Sequence, residues 1–265
     1  MIEEIRDEVS SAIIQGFNSA RENYYTSFIL LISRADWIEE FSGFQGTGCV
    51  IDYQLDRYYD ETREAFYLHY LNRNDKKEGF HYDGESGIDD LSIEMMIYCH
   101  LWDSHYFLKS LYRLSTILDG KGYKWKVIIP DRGKWTFINV NIVDPLVNKS
   151  FELGTIVKKA YSSDIRNAFA HSLYYIDVST RKICLRTERG TQWLTFDEFQ
   201  KRFLYSAILM NLMQNNLETY HDTLGSTNSI LTDTFSTPEG IKVYIISELV
   251  ERCGEIIPEF RLVKV

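Results

Sequence analysis

Proline is scarce in this 265-residue sequence: Pro130, Pro145, Pro238 and Pro258 are the four, so no proline breaks a helix anywhere in residues 1–129. Cysteine is equally sparse. Cys49, Cys99, Cys184 and Cys253 stand far apart with no C-x-x-C, which argues against a disulfide framework or a zinc ribbon and fits buried reduced thiols. Long apolar runs are missing too, the longest being "FILLI" at 28–32, far short of the roughly 18 residues of a membrane-spanning helix. The opening "MIEEIRDEVSS" has no basic stretch leading into an apolar one, so no signal peptide and a cytoplasmic location are expected. There is no positive excess: the formal charge of −9 argues against a protein that coats DNA without sequence preference. No internal repeat and no low-complexity segment is found.

What is present is the composition of a folded protein, 45% apolar with 18 Tyr and 15 Phe. The charge is unevenly placed. Residues 83–94 ("DGESGIDDLSIE") carry five acids and no base, whereas 121–134 ("KGYKWKVIIPDRGK") carry five bases against one acid and 181–189 ("RKICLRTER") four against one. Such basic stretches on an acidic body are either solvated surface or a place for a phosphate backbone.

Periodicity predicts helices near 2–33, with a break around Gly16, and over 54–72, 89–119, 150–173, 196–222 and 238–252, with a loop at 73–88. "TFDE" at 195–198 has the capping-box form, and "TPEG" places Pro238 in a first helical turn after Thr237. Two β-hairpins are expected, "YKWKVII-PDRG-KWTFINV" and "YYIDV-STR-KICLRT". The fold class is therefore mainly α, a helical bundle with short β-hairpin insertions. Three segments are expected, though all can form one compact domain: an N-terminal helical segment 1–88 of unassigned role, a bundle core 89–222, and a C-terminal helical extension 223–265.

On a helix over 153–172, Leu153, Val157, Ala160, Tyr161, Asp164, Asn167, Ala168 and His171 fall on one broad face that begins apolar and ends polar. Asn167 and His171 are an i,i+4 pair; Arg166 stands about 100° round from Asn167. A buried stripe ending in such groups must pair them or open to water, as at a cleft or interface. An Arg followed by His four to six residues later is expected about once by chance among 15 Arg and 6 His. Arg63 and His69 supply that decoy. Requiring Asn next to the Arg, and His at the fifth position, lowers the expectation to roughly 0.015, which makes "RNAFAH" a moderately specific signal.

The segment 164–171, "DIRNAFAH", resembles the R-N-x-x-x-H motif of HEPN domains, helical bundles widespread in bacterial toxin–antitoxin, abortive-infection and CRISPR systems. The hairpin and capped helix that follow are similar to that family as well. The resemblance covers about residues 150–222 and extends to the helix expected over 89–119. It implies a HEPN-like bundle and metal-independent RNA cleavage with no cofactor, at a site shared by two copies across a twofold axis. His171 and Arg166 would then be the catalytic pair. An imidazole can take the proton of a ribose 2′-hydroxyl or give one to the leaving 5′-oxygen. A guanidinium supplies fixed positive charge to the phosphorane-like transition state. Asn167 and Asp164 would support the pair, and Glu94, His105, Tyr174 and Tyr175 are candidates to line the cleft. The expected partners are an RNA substrate, a second copy of the chain and an antitoxin protein, with no membrane. Family members silenced by a nucleotidyltransferase carry Tyr two residues after the His; here Leu173 stands there, followed by Tyr174 and Tyr175. The alternative is an inactive HEPN protein serving as a nucleic-acid, nucleotide or protein-binding module.

Other motifs are weaker. His100, Asp103 and His105 in "HLWDSHYF" suggest a metal cluster with Glu94 upstream, but the H-E-x-x-H spacing is absent. "GFQGTG" at 43–48 lacks the Gly-Lys-Ser/Thr of a phosphate loop, "HYD" at 81–83 is a weak metal candidate, and no G-x-S-x-G elbow occurs.

Overall fold

Ile5, Val9, Ala12, Ile13, Phe17 and Ala20, at three-to-four spacing, give α1 (Ile2–Asn23) one buried face. The computed structural model describes residues 1–38, 48–51, 53, 55–71, 84–188, 190–225, 235–236, 238, 240, 242–252 and 255–264. After α1 come α2 (Tyr25–Ile32), the short strands β1 (Asp36–Trp37) and β2 (Cys49–Val50), α3 (Leu55–Leu71), α4 (Gly84–Leu101) and α5 (His105–Leu118). Then follow α6 (Lys134–Ile138), a π-helical turn (Asn139–Val143), α7 (Asp144–Asn148), α8 (Glu152–Ala160) and α9 (Ser163–Ala170). Strands β3 (Tyr174–Asp177), β4 (Lys182–Thr187) and β5 (Gly190–Thr195) lead into the long α10 (Phe196–Gly225) and the strands β6 (Phe235–Ser236), β7 (Lys242–Arg252) and β8 (Glu255–Lys264). The chain is mainly helical, and no helix among the described residues is long and apolar enough to cross a membrane.

Helix α1 packs against α5, α8 and α10, so the N-terminal segment shares the core with the motif region. That core runs as one cluster from Ile5 to Leu217. Beside it lies an internal ion network. Asp36 accepts from Arg113 at 2.6 Å and Lys109 at 2.9 Å, and Lys109 also reaches Asp56 at 2.6 Å. Arg34 and Arg57 share Glu218, at 3.2 and 2.8 Å. Burial alone would lower the Lys109 ammonium, but Asp36 and Asp56 outweigh it and raise it above its ordinary value.

Several expected elements are corrected, each by a local cause. The break in the first helix falls at Tyr24 (φ −140°), not at Gly16, which stays helical and buried against α5 and α8. The helix expected over 89–119 turns at residues 102–104: Ser104 is extended and its hydroxyl accepts from the Phe107 amide at 3.0 Å, an N-cap that starts α5 anew. The 150–173 helix is likewise two. Tyr161 and Ser162 are extended, and the Ser162 hydroxyl caps α9 by accepting from the Ile165 amide.

The hairpin expected around Pro130–Gly133 is not formed. Residues 134–148 are helical, because Phe137, Ile138, Ile142, Val143 and Leu146 bury at helical spacing and that outweighs the β-propensity of single residues. Pro145 has no N–H for the carbonyl four residues back, and the π-helical turn stands there. The Ser115 hydroxyl reaches the carbonyls of Asn141 and Ile142 there at 3.5 and 3.0 Å.

The C-terminal helical extension is also corrected: past α10 the chain forms an antiparallel sheet in the order β6-β7-β8, with Tyr244 opposite Val263 and Val250 opposite Ile257. Pro238 does not open a helix. Residues 242–264 are rich in Val, Ile and other strand formers, a signal that outweighs the cap-like "TPEG". The hairpin after the motif is present and gains a third strand, β5, in the order β3-β4-β5. The capping box holds: the Thr195 amide donates to Glu198 at 2.8 Å and the Glu198 amide to the Thr195 hydroxyl at 3.2 Å. Of the expected 73–88 loop, residues 84–88 belong to α4 and the rest lie outside the described residues, as do 43–47 of "GFQGTG" and "HYD" at 81–83.

Candidate functional site

The motif occupies α9 and its end. Because the chain turns at Tyr161 and Ser162, the apolar stripe of α8 does not run on into Asp164, Asn167 and His171; the polar residues ride on a separate short helix. Three side chains fix that turn. The Tyr98 hydroxyl donates to the Ala160 carbonyl at 2.9 Å and accepts from the Ser162 amide at 2.6 Å, so one group serves both sides of the break. Burial raises this phenol well above the ordinary range. Ser206 accepts from the Trp102 indole at 3.0 Å and reaches the Ala160 carbonyl at 3.2 Å. Arg202 donates to the carbonyls of Lys158, Lys159 and Tyr161 at 3.2 to 3.5 Å, a cation at the C-terminus of α8 where the helix dipole favours it.

The turn between α4 and α5 brings Asp103 to this helix. Arg166 donates through Nη2 to both Asp103 carboxylate oxygens, at 2.9 and 3.3 Å, and through Nη1 to the Asn167 side chain at 3.2 Å. Lys134, the last base of the 121–134 stretch, ion-pairs with the same carboxylate from the start of α6. Burial would raise the Asp103 carboxyl, but Lys134 and Arg166 outweigh it and hold it below the ordinary carboxylate range. The cluster is thus two cations on one carboxylate, and the Nε of Arg166 is buried with no hydrogen-bond partner. Cys99 touches the Arg166 carbonyl at 3.6 Å; burial, with the Asp103 charge adding, pushes its thiol up to about 12. That thiol is inert packing rather than a nucleophile.

His171 ends the helix. Its amide donates to the Asn167 carbonyl at 3.0 Å, and Ser172 follows at φ +54°, which lets the Leu173 amide close on the Ala168 carbonyl at 2.7 Å. The imidazole is exposed and, among the described residues, makes no hydrogen bond. Asn167 therefore meets His171 through the backbone, while its side chain serves Arg166. Asp164 is half-buried in the first turn of α9, where a carboxylate suits the helix dipole.

The remaining candidates scatter. Glu94 is fully buried and accepts from the Tyr70 hydroxyl at 2.8 Å, inside the bundle rather than on the Arg166 patch. His105 is exposed at the first position of α5. Tyr174 and Tyr175 point to opposite faces of β3: Tyr174 stacks on Phe169 with centroids 5.3 Å apart and packs on the core, and Tyr175 faces out. Among the described residues, no three His, Cys, Asp or Glu side chains converge as a metal set would.

Sequence reasoning had Asp103 in view for metal binding and missed it as the partner of Arg166; it missed Lys134 and Tyr98 in these roles as well. The charge of Lys134 was visible in its basic stretch, but its placement depends on the helix that replaced the expected hairpin. Comparison of the chain with protein-family models, curated proteins and solved structures finds no match.

Proposed function

We propose that this chain is a metal-independent endoribonuclease of the HEPN type, acting as a homodimer in a toxin or phage-defence role, with Arg166 and His171 as its catalytic residues. The observation that carries the reading is the contrast within one short helix: Arg166 is fixed by Asp103 and Asn167, while the His171 imidazole stands exposed with no partner among the described residues. A fixed cation can hold a phosphate, and an unpartnered imidazole can exchange a proton with solvent and substrate.

In the proposed reaction an imidazole removes the proton of a ribose 2′-hydroxyl and the 2′-oxygen attacks the adjacent phosphorus. The bond to the 5′-oxygen breaks, and an imidazolium returns a proton to that oxygen. The products are a 2′,3′-cyclic phosphate and a 5′-hydroxyl. Arg166 neutralises charge developing on the non-bridging oxygens. With two copies across a twofold axis, one His171 can act as base and the other as acid.

One observation favours the alternative, a HEPN protein that binds without cutting: Asp103 already occupies the outer nitrogen of Arg166 and offsets part of its charge. Cleavage decides between them. Purified protein on a labelled RNA pool in EDTA should yield 2′,3′-cyclic phosphate ends, with no products from Arg166→Ala or His171→Ala of the same dimer mass. No cutting by the wild type contradicts the ribonuclease reading and leaves the binding module.

A further inference from the structure

We propose that the outer face of the β3-β4-β5 sheet is a stacking platform for single-stranded RNA, built from Tyr175 and Trp193 with Lys182 and Arg186 on either side. The inner face is spoken for: Ile183 and Leu185 are buried, and Ile176 and Leu194 pack on the core. The outer face is not. In register, Tyr175 lies opposite Cys184 and Cys184 opposite Trp193, so these three form one row across the sheet. Their small middle residue lets the two rings lean together, T-shaped at 5.7 Å between centroids, and Cys184 is buried beneath them. The rings themselves stay open, Tyr175 54% and Trp193 49% exposed, with Leu173 at 43% beside them.

The charge around the row selects the occupant. On β4, Lys182 and Arg186 stand two residues either side of Cys184, about 7 Å from it along the strand and on its face. Both are exposed, and neither makes an ion pair among the described residues. Asp177, opposite Lys182, is taken up by its own turn, accepting from the hydroxyls of Ser179 and Thr180 at 2.6 and 2.8 Å. Two aromatic faces flanked by Lys182 and Arg186, with Thr191, Thr195 and the turn-bound carboxylate of Asp177 around them, are too small and too polar for the apolar centre of a protein interface. They fit unpaired bases joined by phosphates, since any base has a face to stack and duplex RNA hides its own. The platform also adjoins the motif. The Leu173 carbonyl accepts from the Arg186 amide at 2.8 Å, and His171 is two residues before Leu173, at most about 7 Å of chain away. A strand held on the sheet therefore passes the end of α9.

The identity of the bound strand as substrate rests on the ribonuclease reading; binding itself does not. The test is fluorescence anisotropy of a labelled oligouridine of about 12 nucleotides, 2′-O-methylated so that it lacks the attacking hydroxyl, with the full chain. Wild type should bind, more weakly as KCl is added. Trp193→Ala and Tyr175→Ala should each weaken binding about tenfold, Arg186→Glu at least as much with a shallower salt slope, and Trp193→Phe should hold it. No binding, or equal binding by all variants, overturns the platform. So does a Trp193→Ala variant that loses dimer mass with unchanged affinity for RNA, which would make the face a protein interface. Cleavage of ordinary RNA with unaltered KM in Trp193→Ala would sink the platform alone. Platform-dependent binding without any cleavage would sink the nuclease reading alone.

Discussion

Two charge clusters in this molecule use the same chemistry and differ in closure. In the first, Asp36 holds Arg113 and Lys109 inside the bundle, and further carboxylates, Asp56 and Glu218, meet the remaining cations. In the second, Asp103 alone holds Arg166 and Lys134 at the rim of the bundle, and His171, exposed and without a hydrogen bond among the described residues, stands five residues on. The first centres on Asp36 and Arg113, both nearly closed to solvent, and answers its cations with three carboxylates, Asp36, Asp56 and Glu218. The second answers two cations with one partly exposed carboxylate. Ion pairing alone does not separate the two clusters; the exposed imidazole of His171 beside the second one does.

The largest effect on folding should come from opening the closed cluster. Asp36→Ala strands Arg113 and Lys109 without their shared carboxylate, and a loss of about 3–5 kcal/mol in a denaturant titration is expected. RNA cleavage per folded molecule should not change. A loss below about 1 kcal/mol would mean the internal network is replaceable and the contrast with the rim cluster is overdrawn.

Next comes the joint that holds the rim cluster in place. Tyr98→Phe removes the hydroxyl serving both Ala160 and Ser162, leaving the Ser162 amide unmatched and the Ala160 carbonyl with only Ser206, and about 1–3 kcal/mol of stability should go. Because that joint sets the direction of α9, cleavage by the folded fraction should also fall. Full activity in the folded fraction would show that the turn matters for folding only.

The smallest effect is confined to acid. The Asp103 carboxyl sits below its ordinary range in the folded chain, so its contribution to stability is present above the ordinary carboxylate pKa, about 3.9, and is lost as pH falls through the folded value. Asp103→Asn should therefore flatten the acid limb of stability against pH, by less than about 1 kcal/mol given its partial exposure. An acid limb identical to wild type would remove the ion-pair account of this cluster.

These contrasts were unevenly legible in the sequence. Local signals held where the cause was local: the Thr195–Glu198 capping box, the strand pair after the motif, and the helices at 55–71 and 196–225. Breaks inside long helical patterns were less visible, because Tyr161 and Ser162 leave the helix for partners remote in sequence, Tyr98 and Arg202. Ser104 and Ser162 did carry readable N-cap signals. The region 134–148 turned on which period wins, and burial at helical spacing outweighed β-propensity. At the site, Arg166, Asn167 and His171 stood out by spacing. Asp103 and Lys134 became their neighbours only through tertiary packing, which one-dimensional spacing does not encode.

The most direct test measures RNA cleavage in EDTA and unfolding free energy on the same samples of wild type and His171→Ala. An exposed, unpartnered imidazole should matter to the reaction and not to the fold: a rate loss of about 100-fold or more is expected, with stability unchanged to about 0.5 kcal/mol. An unchanged rate, or a rate that falls only as the protein unfolds, would contradict the assignment of the open cluster to catalysis.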